Sequence, residues 1–200
     1  LMLPAGEIID ATLKKLQPYL QTGDCIIDGG NSHFSDTVRR AKLLAKKKIN
    51  FIDCGTSGGL AGKRKGFSLM LGGNPLIIEQ LEPLFKVIAT TKGYGYMGPS
   101  GAGHYVKMVH NGIEYALLQA YAEGFDLLHN GTYKNLNLEK ISQVWSHGAI
   151  IRSWILQLSH SIFKHDQDFH DISGAIQESG TGSWTVEEAH KQKVPVNLIE

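Results

Sequence analysis

The residues most suited to chemistry lie in one stretch, Gly101 to Tyr115 (GAGHYVKMVHNGIEY). On a helical wheel with Lys107 as origin, Asn111 falls at roughly +40°, Glu114 at roughly −20° and His110 at roughly −60°. A lysine, an amide, an imidazole and a carboxylate therefore share one face over two turns. Val106, Met108, Val109 and Ile113 flank that face and suit packing. A polar face this mixed is costly to bury unless its groups have partners. The plain alternative is a solvated face with a Lys-to-Glu pair. The chemical reading is an acid–base site whose lysine is desolvated enough to lose its proton.

Two glycine-rich polar loops are the next candidates, Asp28-Gly29-Gly30-Asn31-Ser32 and Gly55-Thr56-Ser57-Gly58-Gly59. Glycine lets a backbone come close to a ligand and present its N–H groups. Asn31 and Ser57 add neutral donors and acceptors. Each loop read alone is equally a tight turn; their positions after neighbouring strands favour a site, because open α/β sheets bind ligands beyond the carboxyl ends of their strands. In Gly180-Thr181-Gly182-Ser183-Trp184-Thr185-Val186-Glu187-Glu188, Thr185 and Glu188 have capping-box spacing. The Gly-Thr-Gly before them is a turn or a ligand loop. His165-Asp166-Gln167-Asp168-Phe169-His170 has metal-ligand residue types, but its spacing matches no standard zinc pattern, and no metal is expected.

Strand-like and helix-like patterns alternate in the first half. Leu1 to Leu3 reads as a strand end, Glu7 to Leu20 as a helix closed by Gly23, and Cys25 to Asp28 as a buried strand. A helix is expected over Ser35 to Lys48 with Ser35 as its N-cap, and strands over Asn50 to Gly55 and Phe67 to Leu71. A helix over Pro75 to Ile88 and a strand over Ala89 to Lys92 follow. The alternation marks a doubly wound α/β sheet. From Gly101 onward the pattern is helical: Gly103 to His129, Asn137 to His147, Ile150 to Lys164, and a helix holding Glu187 to Lys191. An α/β domain over residues 1–99 followed by an all-α domain over 100–200 is the expected architecture.

The composition narrows the function classes. Of the 200 residues 42% are hydrophobic and 20% charged, so the chain is not of a disordered type. Twenty basic residues against nineteen acidic ones remove the usual electrostatic case for nucleic acid or anionic membrane as main partner. Without a basic patch, Trp145, Trp154 and Trp184 read as packing anchors. No apolar run is long enough to span a bilayer, and Leu1-Met2-Leu3-Pro4 lacks the basic flank of a secretory signal. Cys25 and Cys54 sit in apolar stretches and read as reduced thiols, which points to the cytoplasm. The chain opens on Leu1 and stops in a globular-looking segment, so it reads as a piece of a longer protein.

Together, IIDGGNS (Ile26 to Ser32), TSGG (Thr56 to Gly59), GAGHYVKMVHNGIEY (Gly101 to Tyr115) and SGTGSWTVEEA (Ser179 to Ala189) resemble the 6-phosphogluconate dehydrogenase family, in its order and over nearly the whole chain. The segment His147 to Trp154 is similar to the short-chain branch. The resemblance implies a Rossmann-type sheet whose first unit precedes Leu1, a helical domain used for homo-oligomer formation, and oxidative decarboxylation of 6-phosphogluconate with NAD or NADP, leaning to NAD. It implies that Lys107 is the base at the substrate 3-hydroxyl and Glu114 the acid that protonates the enediol. Asn31, Ser57, Gly58, Gly59, His110, Asn111 and Tyr115 match substrate-contacting positions; Asn31, Pro4 and Ala5 match the cofactor side. Long-chain relatives carry a phosphate-holding lysine where Ser179 stands, so Arg152 or a residue beyond Glu200 would have to substitute. A related β-hydroxyacid dehydrogenase, or a non-catalytic binding protein on the same scaffold, are the alternatives; the HNGIEY run and the full set Lys107, Asn111 and Glu114 speak against them. Since the family's glycine-rich pyrophosphate turn lies before Leu1, the 200-residue segment alone is expected to bind dinucleotide poorly. Micromolar affinity for NAD in a calorimetric titration would contradict this.

Overall fold

A computed structural model describes residues 1–173, 175 and 180–200. Four strands form one sheet in the order β1 (Cys25–Asp28), β2 (Asn50–Ser57), β3 (Phe67–Gly72), β4 (Ala89–Gly98). The β1/β2 and β3/β4 pairs are parallel and β2/β3 is antiparallel. The sheet is therefore mixed. Residues 58–66 alone join β2 to β3 and hold only the short helix α3 (Gly59–Lys65). A parallel return needs a crossover of a dozen residues or more.

The helices that line the sheet are α1 (Glu7–Leu16), α2 (Phe34–Ala45), α4 (Pro75–Gln80) and α5 (Glu82–Ile88). Alternation along β2 divides the faces. Phe51 packs with Ile9, Leu13, Ile26, Leu44 and Ile49 under α1 and α2. Ile52 and Cys54 turn the other way, onto Leu69, Leu71, Ile78 and Phe85. Residues on the first face, Phe51, Asp53 and Gly55, look towards the elements that carry the candidate site.

After β4 the chain enters α6 (Ala102–Asn130), followed by α7 (Leu138–Ser146), α8 (Trp154–Phe163) and α9 (Thr181–Gln192). The first turns of α6 lie on β2 and β3, and its later turns join Phe125, Leu138, Leu156 and Phe163 in a separate aromatic-rich core. Leu1 to Leu3 is tied beside β1 through a bond from Gly29 N–H to the Leu1 carbonyl (2.8 Å), without forming a strand.

Several local expectations change. The first helix ends at Leu16 and passes through a 3₁₀ turn, Gln17–Tyr19, begun by Pro18. Residue Ser35 does not cap α2: His33 occupies the cap, and its Nδ1 accepts from Ser35 N–H (3.2 Å). The expected helix over Pro75 to Ile88 is two helices, because Pro83 has no N–H with which to continue the first. Strand β4 runs to Gly98, not Lys92. The helix expected from Ile150 begins at Trp154, where the Ser153 side chain accepts from Leu156 N–H (3.0 Å). The capping box is not one: α9 starts four residues before Thr185, and the Thr185 hydroxyl donates to the carbonyls of Met108 (2.8 Å) and Thr181 (3.0 Å). Gly-Thr-Gly is thus the start of a helix, with Gly180 in the left-handed region (φ 86°).

Candidate functional site

The site is built where α6 crosses the carboxyl end of β2. Asp53, fully buried, accepts from Gly101 N–H (2.8 Å) and His104 N–H (3.0 Å), two donors at the start of α6. Residue 101 is a glycine and has no side chain to cap its own helix. Two residues on, β2 presents Gly55. A Cβ there would lie 2.6 Å from Lys107 Cβ and 2.7 Å from the Gly103 carbonyl oxygen, so only glycine admits the helix. His104 is buried, with Nδ1 2.7 Å from the Thr37 hydroxyl and Nε2 3.1 Å from the Asp28 carbonyl. Burial pushes this imidazole below its ordinary pKa. A neutral ring donating from Nε2 and accepting at Nδ1 satisfies both contacts.

Lys107 is only 5% exposed. Its Nζ donates to Asn111 Oδ1 (2.7 Å) and stands 3.2 Å from His110 Nδ1. Asn111 Nδ2 in turn donates to the Thr181 hydroxyl (2.9 Å) on α9. His110 Nε2 lies 3.4 Å from Ser57 Oγ, and His110 Nδ1 lies 3.6 Å from Glu114. The structure therefore brings Lys107, His110, Asn111 and Glu114 together, as the helical wheel required, and adds Ser57 from β2 to the same chain of contacts. Burial lowers the Lys107 pKa, and the Glu114 carboxylate opposes that shift. The arrangement suits a lysine that takes up and returns a proton, beside a half-exposed carboxylate.

The two glycine loops meet. Residue Asn31, in the left-handed region (φ 53°), donates to the Thr56 carbonyl (3.0 Å) and accepts from Thr56 N–H (2.8 Å). Its amide thus laces the loop after β1 to the end of β2. Gly58 and Gly59 follow with positive φ (132° and 50°) and open α3, a helix that no sequence pattern announced. Beside Asn31 lies a cleft of about 520 Å³ lined by Pro4, Ala5, Gly6, Gly30, His33, Asp36, Asn111, Thr181 and Trp184. Its wall at Gly30 is backbone against backbone: a Cβ there would fall 2.2 Å from the Leu3 carbonyl oxygen. His33 meets Trp184 edge-on at 5.0 Å, joining the sheet side to α9.

Some expected residues stand apart. Tyr115 packs on Gly182 and lines a second hollow with Val186 and Ile199, not the cleft. Arg152 lines a further hollow with Leu117, Tyr121 and Trp145. Ser179 lies outside the described residues. Among the described residues there is no group of three or more His, Cys, Asp or Glu placed to hold a metal ion, and no helix is long and apolar enough to cross a membrane. Cys25 and Cys54 are free, and burial raises both thiols, Cys54 to about 11. Sequence reasoning missed Asp53, His104, Thr37 and the role of Thr181. A signal existed for Asp53 alone: one carboxylate inside the apolar strand FIDCG demands a partner.

Comparison with known proteins shows what the chain as a whole is similar to. The profile described as the NAD binding domain of 6-phosphogluconate dehydrogenase matches residues 1–112, and that of the 6-phosphogluconate dehydrogenase C-terminal domain matches residues 103–200. A relative from Haloferax volcanii, named an NAD(+)-dependent decarboxylating 6-phosphogluconate dehydrogenase, is 51% identical over all of this chain and 66% of its own length. The decarboxylating 6-phosphogluconate dehydrogenase of Schizosaccharomyces pombe is 39% identical, with 42% of its length covered. The solved structure of Plasmodium falciparum 6-phosphogluconate dehydrogenase superposes with a TM-score of 0.88 at 31% identity, over 99% of this chain and 44% of that one. A Mycobacterium tuberculosis 3-hydroxyisobutyrate dehydrogenase shares the fold (TM-score 0.76, 18% identity, 99% of this chain and 68% of that one). The chain thus spans just under two thirds of the short relative and under half of the long ones.

The Lys107 ammonium should titrate below the ordinary 10.5 of a lysine, and Glu114→Gln should lower it further by removing the opposing charge. Between the folded and unfolded values the folded state holds fewer protons, so this site makes stability rise with pH across that window. Carbon-13 NMR of labelled lysine, with the Lys107 signal assigned by its loss in Lys107→Met, measures the shift. Titration at or above 10.5 would refute it.

Proposed function

The chain belongs to the 6-phosphogluconate dehydrogenase family, and we propose on that premise that the whole protein converts 6-phosphogluconate to ribulose 5-phosphate and carbon dioxide while reducing NAD or NADP, in the pentose phosphate pathway and gluconate utilisation. The observation that carries the reading is the buried Lys107, hydrogen-bonded to Asn111 and backed by His110 and Glu114. The 51% identity to a relative named NAD(+)-dependent supports NAD as the cofactor.

The residues fit these roles as follows. Pro4, Ala5 and Asn31 offer apolar and amide groups suited to the nicotinamide end of the cofactor, in a cleft whose lining also includes the Asp36 carboxylate. The nicotinamide, when bound, supplies the acceptor for the C3 hydride. Neutral Lys107 takes the 3-hydroxyl proton as that hydride leaves, giving a 3-keto acid. The lysine, now an ammonium, donates to the new ketone oxygen. The bond between C1 and C2 then breaks, carbon dioxide departs, and the electron pair moves into an enediol as Lys107 returns its proton to oxygen. Glu114 protonates the carbon that lost carbon dioxide while neutral Lys107 takes the proton from the C3 hydroxyl of the enediol, which leaves the ketone of ribulose 5-phosphate, an ionised Glu114 and a protonated Lys107. Asn111 and His110 hold Lys107, and Ser57 with Gly58 and Gly59 offers hydroxyl and backbone groups to the substrate. Tyr115, against Gly182, lines a separate hollow and takes no role in these steps.

We take the boundary between the sheet-bearing and helical parts at 99/100, after β4 ends at Gly98. A second copy of the chain is the expected partner, which the exposed Ile113, Leu117, Leu118, Leu158 and Ile162 of α6 and α8 support. The two free thiols support a cytoplasmic setting.

Lys107→Met in the full-length protein should cut kcat by about 10²–10⁴-fold or more, with substrate binding largely kept, since loss of general-base catalysis is worth that much. Near-normal kcat would remove Lys107 from the mechanism. Glu114→Gln should impair enediol protonation more than oxidation, because glutamine keeps the size of the side chain but has no acidic proton. Tritium exchange at C1 of ribulose 5-phosphate isolates that step from hydride transfer. Exchange as fast as wild type would make Glu114 a charge-balancing residue and leave His110 as the next candidate acid.

A further inference from the structure

We propose that Asp53 is a positioning residue for the reaction, seating Lys107 in its working place through the first turn of α6. The proposal rests on the reading of Lys107 as the base. Asp53 touches neither the cleft nor Lys107. It is fully buried, and both of its oxygens are spent on backbone donors of α6, Gly101 N–H at 2.8 Å and His104 N–H at 3.0 Å. Those donors are among the orphan N–H groups every helix start exposes. Here the sheet supplies the cap, so the helix is located relative to β2 and not merely closed at its end.

The geometry leaves no slack. Residues 53 and 55 project from the same face of β2, about 6.6 Å apart along the strand. His104 and Lys107 stand about 4.5 Å apart along the helix axis. The carboxylate holds one rung, Asp53 to His104, and the missing Cβ of Gly55 admits the next, Lys107. A Cβ at Gly72 would lie 2.5 Å from Asp53 Oδ2, and one at Gly103 would lie 2.9 Å from the same oxygen and 2.3 Å from the Met70 carbonyl oxygen. Helix and sheet backbones are in contact on both sides of the carboxylate. With the cap lost, the first turn of α6 keeps only packing and the contacts of the His104 ring to Thr37 and Asp28, and Lys107 moves with it. A misplacement of about 1 Å in a reacting group costs about 10²-fold in rate.

The test uses the full-length protein and the neutral, similarly sized Asp53→Asn, whose NH₂ would face a backbone N–H. The expected result is a drop in kcat of about 10–10²-fold, with substrate KM within about threefold. The acid limb of the kcat/KM profile should also move to higher pH. That limb marks loss of neutral lysine, and a Lys107 less deeply buried holds its proton more tightly. A merely structural carboxylate would lower the thermal midpoint and leave kcat and the acid limb at wild-type values, and that outcome overturns the proposal. Should Asp53→Asn fail to fold, Gly72→Ala, which presses on the carboxylate from the opposite strand, is read by the same two criteria. Lys107→Met is run alongside. If it retains kcat, the reading of the base fails; if it is inactive while the Asp53 and Gly72 variants behave as wild type, only the positioning role fails.

Discussion

The burial of one carboxylate under the start of α6 is the constraint from which the site follows. An isolated charge in a protein interior is costly, and a helix start with unpaired N–H groups is costly for the opposite electrostatic reason. Asp53 and the first turn of α6 cancel each other's cost, helped by the positive end of the helix dipole. That solution works only if helix and strand approach to backbone contact. Gly55, Gly72 and Gly103 are then required, since a Cβ at any of them would intrude on Lys107, Asp53 or Met70. The same approach carries Lys107 under protein cover. The desolvation that lowers the Lys107 pKa is thus a consequence of how the helix is anchored.

A buried amine needs partners that do not return it to its charged form. Asn111 meets this need: its amide oxygen accepts from Nζ while its NH₂ is held by Thr181. A carboxylate in the same place would stabilise the ammonium and raise the pKa. Glu114, one turn beyond His110 and 45% exposed along its side chain, acts at longer range and raises the lysine only in part. The contrast between a buried amine and a wetter carboxylate follows from where on α6 each residue sits.

Much of this was legible in the chain itself. The wheel over Gly101 to Tyr115 grouped Lys107, His110, Asn111 and Glu114 because helical geometry is local, and the strands showed because their residues are apolar in short runs. What stayed hidden was set by tertiary contact. Ser35 looked like the better cap, yet the His33 ring, wedged between Phe34 and Trp184, has its Nδ1 turned onto the helix start. Thr185 and Glu188 had capping-box spacing, but a helix begins where its first turn finds support, and Tyr115 packing on Gly182 supplies it a turn earlier. The antiparallel β2/β3 pair was readable only by counting how few residues join the strands, a matter of chain length that periodicity does not record.

The helical part is not a separate attachment to the sheet but the other half of the site. Thr181 and Thr185, four residues apart on α9, both reach α6: one receives a bond from Asn111, the other donates to the Met108 carbonyl. Gly112 gives Thr185 room, since a Cβ there would lie 2.7 Å from its methyl carbon. One face of α6 thus meets β2 at Gly103, His104 and Lys107, and meets α9 at Met108, Asn111 and Gly112, within ten residues of helix. Any shift of α9 is felt at Asn111, and any shift of the sheet is felt at Lys107. The hydrogen bond between those two side chains is where both constraints meet, so the surroundings of Nζ depend on two interfaces being correct together.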